Sequence, residues 1–371
     1  MSKQNNTQQE HTDFLTDLMD FNPSQLAVFN EPTAKQTGNI HLYKTNPVNV
    51  ESSKAPDGHY HAKIRIIYNP HDMKQSIVNH AHYSMSDAEG FFMVDSKLAL
   101  GDRNCFMFKA WKQLHFNEDP TKFEVDGKQY TRKEWGDHMF DKGESKYCLV
   151  QVIEDINQPE MQGKFMAWRL PKAVYDTLQA KMNPTDKSKA PQDIMNYLFG
   201  PCLELDITPG PDDPQHPERK QREIKYTLCT FEADPTPIVT VTGEELFNDD
   251  ERDMIADYAA AKKVLADPKS TAKKKEEAVA KCKSLVDPLK AMMQKAIDYV
   301  KENSFNLVDE FGYHEPTEEQ RKRAEKWIDI VVNKLANPQT YLNGEIIMES
   351  PKAEQPAVEE AVVNPTDDLP F

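Results

Sequence analysis

Near residue 240 the hydrophobic period of this chain changes, and with it the kind of structure the chain can form. Before that point apolar residues alternate. In His61-Ala62-Lys63-Ile64-Arg65-Ile66-Ile67-Tyr68, the side chains of Ala62, Ile64 and Ile66 share one face while Lys63 and Arg65 share the other, as in a half-buried strand. Asp57-Gly58 ahead of it is a turn signal. Further strands are predicted over about 146–154 and 164–170, joined through Pro159 and Gly163. Pro171 suits the first position of a helix, and Val174, Tyr175, Leu178 and Met182 follow it at helical spacing. Another strand pair is expected near 202–208 and 223–231, across the Pro/Asp-rich stretch 209–217. Short strands, long loops and one helix predict a mainly β fold with some α, its core a closed or partly closed barrel.

After residue 240 the pattern is helical. Thr242-Gly243-Glu244-Glu245 reads as a capping box, Asp267-Pro268 breaks the pattern, and Ser270 restarts it. A long Lys/Glu/Ala-rich helix follows, with an interruption expected near Asp287-Pro288. Thr317-Glu318-Glu319-Gln320 is a second capping box. Behind it Ala324, Trp327, Ile328, Val331 and Leu335 form an apolar stripe that ends at Asn337-Pro338. The expected organisation is therefore a flexible arm at 1–35, a strand-rich core at 36–240, a helical subdomain at 241–344 and a disordered acidic tail at 345–371.

Charge is uneven along the chain. Of the net −16, the tail holds seven acids against one base, and residues 1–35 hold five against two. What lies between is close to balanced and can carry a basic groove if its acids face elsewhere. The five cysteines, Cys105, Cys148, Cys202, Cys229 and Cys282, are scattered, which predicts reduced thiols rather than a disulfide framework. No signal-peptide pattern opens the chain and no apolar run approaches the ~18 residues of a membrane span. A soluble protein of the cytoplasm is expected. No Walker A loop, GxGxxG, HExxH or GxSxG occurs, so neither catalysis nor a cofactor is expected.

Binding of a nucleic-acid single strand needs aromatic platforms for the bases and cations for the backbone. Residues 36–235 hold 22 of the 34 aromatics, with basic residues interleaved: Lys109-Ala110-Trp111-Lys112, Lys146-Tyr147, Lys164 to Trp168-Arg169, and Lys225-Tyr226. The candidates for contact with a nucleic-acid single strand are Lys63, Arg65, Lys109, Trp111, Lys112, Lys146, Tyr147, Lys164, Trp168 and Arg169. Strand alternation puts Lys164 and Trp168 on one face and Arg169 on the other. The chain finishes Asp367-Asp368-Leu369-Pro370-Phe371. An aromatic residue at the end of an acidic tail adds nothing to solubility, but it makes a compact ligand. The ring can fill an apolar pocket, the carboxylates can meet a basic rim, and Pro370 limits the entropy lost on docking.

This ending resembles the acidic tip of bacterial single-stranded-DNA-binding proteins, which docks replication and repair enzymes. The centre resembles the single-stranded-DNA-binding (helix-destabilising) proteins of tailed phages. The likeness runs through Ala62-Lys63-Ile64-Arg65, His80-Ala81-His82-Tyr83 and Tyr147–Met182, with Pro159-Glu160-Met161-Gln162-Gly163-Lys164-Phe165-Met166-Ala167-Trp168-Arg169 at its centre. It extends loosely over about residues 40–235. It implies an OB-type core with a groove for single strands, work in phage DNA replication, recombination and repair in the host cytoplasm, and protein partners taken by the tip. Arg65, Tyr147, Lys164, Trp168 and Arg169 fall at the family's matching positions, so the resemblance favours these for contact with single-stranded DNA. The family also carries a zinc subdomain with one His and three Cys. Here His80 and Cys105 match, Phe108 stands where the second Cys of a CxxC belongs, and Asp95 takes the remaining place. Zinc is therefore not expected, although His80, His82, Asp95 and Cys105 could still form a site. The family's basic N-terminal motif is also missing, since residues 1–35 offer only Lys3 and Lys35. Two other readings stay open: a strand-annealing recombination mediator, and a replication adaptor that binds no DNA.

Overall fold

The computed structural model describes residues 60–346 except 157, 187–188, 213–219, 225–230 and 343–344. In chain order the elements are β1 (Tyr60–Ile67), β2 (Ile77–Asp87), β3 (Gly90–Asp95), α1 (Phe106–His115), β4 (Phe123–Val125), β5 (Lys128–Tyr130), α2 (Arg132–Met139), β6 (Asp141–Asp155), β7 (Phe165–Arg169) and α3 (Lys172–Met182). There follow β8 (Leu203–Asp212), β9 (Lys220–Ile224), α4 (Asp249–Ala266), α5 (Ala272–Asn303), α6 (Leu307–Phe311), α7 (Glu318–Ile328), β10 (Tyr341–Leu342) and β11 (Glu345–Ile346). The fold is mixed α/β, with a mainly antiparallel sheet and a helical C-terminal region. Two compact units divide the chain. The first takes the described residues up to Asn79 together with those of 145–312; the second takes His80–Glu144 and the described residues from Tyr313 on.

In the first unit β1 lies between β6 and β8, β9 follows β8, and β7 pairs with β6. The register sets Ile64 opposite Val152, Ile66 opposite Val150, and Cys148 opposite Trp168. Every residue of β6 from Tyr147 to Val152 is buried, so both faces of this strand are covered. A barrel strand would keep one face outward. Accordingly, of the closed or partly closed barrel expected, the closed form does not occur: among the described residues no pairing joins β7 to β9. Helix α3 buries Val174, Leu178 and Met182, as its spacing predicts.

Helices α4 and α5 add Ile255, Tyr258, Leu285, Leu289, Met292, Met293, Ile297 and Val300 to the same core. The boundary expected at 240/241 therefore does not divide the compact units, because these helices have no core apart from the sheet. Two local expectations also change. Thr242–Glu245 is a turn with Gly243 at φ +82°, and α4 starts later, on a capping box of Asn248 and Glu251. Helix α5 runs unbroken through Pro288, held by the buried Leu285, Leu289, Met292 and Met293 around it.

In the second unit the β2–β3 hairpin, α1, α2 and α7 surround Tyr83, Met85, Val94, Met107, Leu114, Trp135, Phe140 and Trp327. The capping box at Thr317 starts α7 as expected, and a second one, Thr131 with Glu134, starts α2. Two of the indole N–H groups find acceptors, Trp135 Nε1 donating to the Val331 carbonyl at 3.0 Å and Trp327 Nε1 to that of Ser86 at 2.8 Å, while Trp111 Nε1 is buried with no partner among the described residues. Helices α1 and α2 touch at Gly136, where an added Cβ would lie 2.7 Å from Leu114 Cβ. No helix among the described residues is long and apolar enough to cross a membrane.

Candidate nucleic-acid interface

Three of the residues expected to meet DNA lie inside the first unit. Arg65 is 0% exposed. Its guanidinium donates to the carbonyls of Ile194 (3.1 Å), Pro201 (2.9 Å) and Asn196, and thereby holds the 194–201 turn over the second face of β1. Trp168 is 1% exposed and belongs to the core. Tyr147 is buried and stacks on Phe311 with centroids 4.2 Å apart. None of the three presents a face to a ligand, which corrects the sequence expectation. Alternation shows that the two sides of a strand differ, but not that another segment covers the polar side.

The other candidates of this unit are dispersed or occupied. Lys63 pairs with Glu232 at 3.0 Å. Lys146 donates to Asn79 at 2.6 Å and lies over the Tyr175 ring. Lys164 is exposed and Arg169 half-buried. Lys225-Tyr226 and the tip Asp367–Phe371 lie outside the described residues.

The remaining three candidates, Lys109, Trp111 and Lys112, come together on α1. This helix buries Met107, Ala110 and Leu114. Phe108, Trp111, Lys112 and His115 stand at i, i+3, i+4 and i+7 beside that stripe. Their rings form a ladder: Phe108 stacks on Trp111 at 5.8 Å, and Trp111 meets His115 at 4.3 Å and Phe116 edge-on at 5.5 Å. Phe116, just past the helix end, is 66% exposed. Cations line the ladder. Lys112 Nζ lies 5.8 Å from the Phe108 centroid and 5.9 Å from that of Phe116, and Lys142 Nζ lies 5.0 Å from the Trp111 ring. Lys109 and Lys112 have no carboxylate partner among the described residues, whereas Lys142 is 3.4 Å from Glu144. An open groove of about 500 Å³ adjoins the ladder, lined by Lys112, Gln113, Phe116, Asn117, Arg132 and Asn333 beside Val332. Sequence reasoning found the Lys-Ala-Trp-Lys step and missed Phe108, His115, Phe116, Arg132 and Lys142. The helical spacing of the first two was readable; the contributions of α2 and β6 were not.

Burial holds the His115 imidazole below its ordinary value, with Lys133 and Lys142 adding to the effect and Asp137 opposing it. In the first unit the opposite occurs: burial pushes the Asp193 carboxyl up to about 6, despite hydrogen bonds from Tyr68 Oη (2.6 Å) and Asn196 Nδ2 (2.9 Å). These shifts have opposite linkage signs. A histidine with a lowered folded pKa contributes stability above the unfolded value of 6.5, lost as pH falls through the folded one. A carboxyl raised from 3.8 to about 6 contributes below about pH 4, and that contribution is lost as pH rises through 6. Lowering pH from 7 to 5 is expected to loosen the α1–α2 contact while tightening the 193–201 turn. Amide hydrogen exchange, corrected for intrinsic rate, reads both regions in one sample. Equal changes in the same direction would contradict the assignment.

The residues weighed for zinc are engaged otherwise. Asp95 accepts the His314 backbone N–H at 3.0 Å and lies 3.2 Å from His314 Nδ1, while Cys105 Sγ is 3.5 Å from Ser96 Oγ. The rings of His80 and His82 lie 5.1 Å apart. Among the described residues no group of three or more His, Cys, Asp or Glu side chains is placed to hold a metal ion. No protein-family model matches this chain and no curated protein does, so the geometry of its own residues carries the functional reading.

Proposed function

We propose that this protein binds single-stranded DNA stoichiometrically, coating and protecting it during replication, recombination or repair, in a phage-type system. The observation that carries this reading is the α1 ladder: four rings in sequence, one of them largely exposed, bordered by Lys109 and Lys112, neither of which has a carboxylate partner among the described residues, in a chain of net charge −16. Stacked rings accept any base, and adjacent cations neutralise the backbone. On this reading the strands of the first unit form an incomplete OB-like sheet that supports the fold, and DNA runs along α1 of the second. The Asp367–Phe371 tip recruits a replication or recombination protein.

Tryptophan fluorescence tests the site directly. Trp135, Trp168 and Trp327 are each 1% exposed, so Trp111 is the only tryptophan within reach of a base. Oligo-dT is expected to quench the wild-type emission and leave Trp111→Phe almost unchanged. Equal quenching in both would place the strand elsewhere.

The tail gives a second expectation. Residues 345–371 carry seven acids against one base and compete with DNA for cations. Deleting them should tighten oligo-dT binding several-fold at low salt and abolish binding of the partner enzyme in a pull-down. If truncation changes neither, the tail has no such role.

A further inference from the structure

The groove beside the ladder differs from the ladder in chemistry. The ladder offers ring faces, which do not distinguish one base from another. The groove offers amides. Gln113 makes no hydrogen bond among the described residues, so its carbonyl oxygen and NH2 are both available. Asn333 donates through Nδ2 to Asp329 Oδ1 at 3.1 Å, which leaves its Oδ1 as an acceptor. Asn117 accepts from the Asp119 N–H at 3.0 Å through Oδ1, which leaves its NH2 as a donor. No carboxylate lines the groove, and two cations do. Arg132 spends only one long hydrogen bond, 3.4 Å to the Val332 carbonyl. Phe116 forms an exposed apolar wall.

An aromatic wall, amide donors and acceptors, and two cations lining one groove together match a nucleotide. Its ring stacks, its base edge carries adjacent donors and acceptors, and its phosphate is anionic. We infer that this groove receives one unstacked base of the bound strand and reads its edge through Gln113, Asn117 and Asn333, giving the protein a base preference that the ladder alone cannot produce. Lys112 and Arg132 hold the flanking phosphate. The inference rests on the proposed binding of single strands along α1.

The test compares 12-mers of dT, dC and dA, and a mixed strand rich in G, by fluorescence anisotropy on the full-length protein. Wild type is expected to spread these affinities by roughly 5-fold or more, the scale of one well-made base contact. The double variant Gln113→Leu/Asn333→Leu is expected to compress the spread. Lys112→Ala and Arg132→Ala should weaken all four strands alike. Circular dichroism and a thermal melt establish that each variant is folded. Equal affinities in wild type, or a spread that survives the double replacement, would overturn the base-reading groove while leaving single-strand binding intact. No binding to any strand would overturn both.

Discussion

Replacing Arg65 by methionine is expected to destabilise the first unit by roughly 3–5 kcal/mol, because three buried carbonyls each lose a hydrogen bond to a charged donor, worth about 1.5–3 kcal/mol apiece and not fully additive. The guanidinium satisfies the carbonyls of Ile194, Asn196 and Pro201 at once, and methionine leaves all three without that donor in a largely buried site. Gly200 lies so close to the guanidinium that a Cβ there would sit 2.4 Å from Nη1, so the turn is built around this group. Burial also draws the Arg65 pKa down to about 10, yet at neutral pH it stays charged. Lysine at this position has one nitrogen for three carbonyls and should recover only part of the stability. Urea unfolding of the Arg65→Met and Arg65→Lys variants checks the order. A change below 1 kcal/mol for methionine would show that these bonds contribute little. A solvent-exposed phosphate contact would behave in the opposite way, with stability unchanged and DNA affinity reduced.

The second large effect is on binding. Trp111→Ala removes the central rung, which meets Phe108, His115 and Phe116, and leaves Lys142 without its ring. One stacked base is worth about 1–3 kcal/mol, so oligo-dT affinity should fall roughly 5- to 150-fold. Trp111→Phe keeps a ring and should lose less. Lys112→Glu, on the same helix, should weaken binding most at low salt and flatten its salt dependence, because it removes a phosphate contact rather than a platform. If Trp111→Ala binds oligo-dT like wild type, α1 is not the interface.

The amino-acid sequence made some parts of this fold legible and hid others, for identifiable reasons. Strand β1, strand β7 and helix α3 follow from local periodicity, and the start of α7 follows from the Thr317 capping box, since each depends on neighbours in the chain. The second face of β1 depends on the 193–201 turn, some 130 residues away, and periodicity carries no information about that. Arg65 thus looked like a phosphate ligand when it is an internal clamp. The Thr242–Glu245 pattern failed because Gly243 takes a left-handed φ that ends a helix rather than starting one. Pro288 failed as a breaker because tertiary burial of its neighbours outweighs one lost hydrogen bond. The proposed binding face was half legible. Lys109, Trp111 and Lys112 were visible as a basic-aromatic step, while Arg132 and Lys142 reach it only through the fold.

The most direct measurement is fluorescence anisotropy of a labelled oligo-dT and a matching duplex, titrated with the full-length protein at two salt concentrations. Tight binding of the single strand, weakened by salt and much stronger than binding of the duplex, is the expected result, because ring stacking needs unpaired bases and the lysines release counterions. Failure to bind oligo-dT at low salt, with the acidic tail removed, would contradict single-strand binding and leave the α1 ladder to another partner.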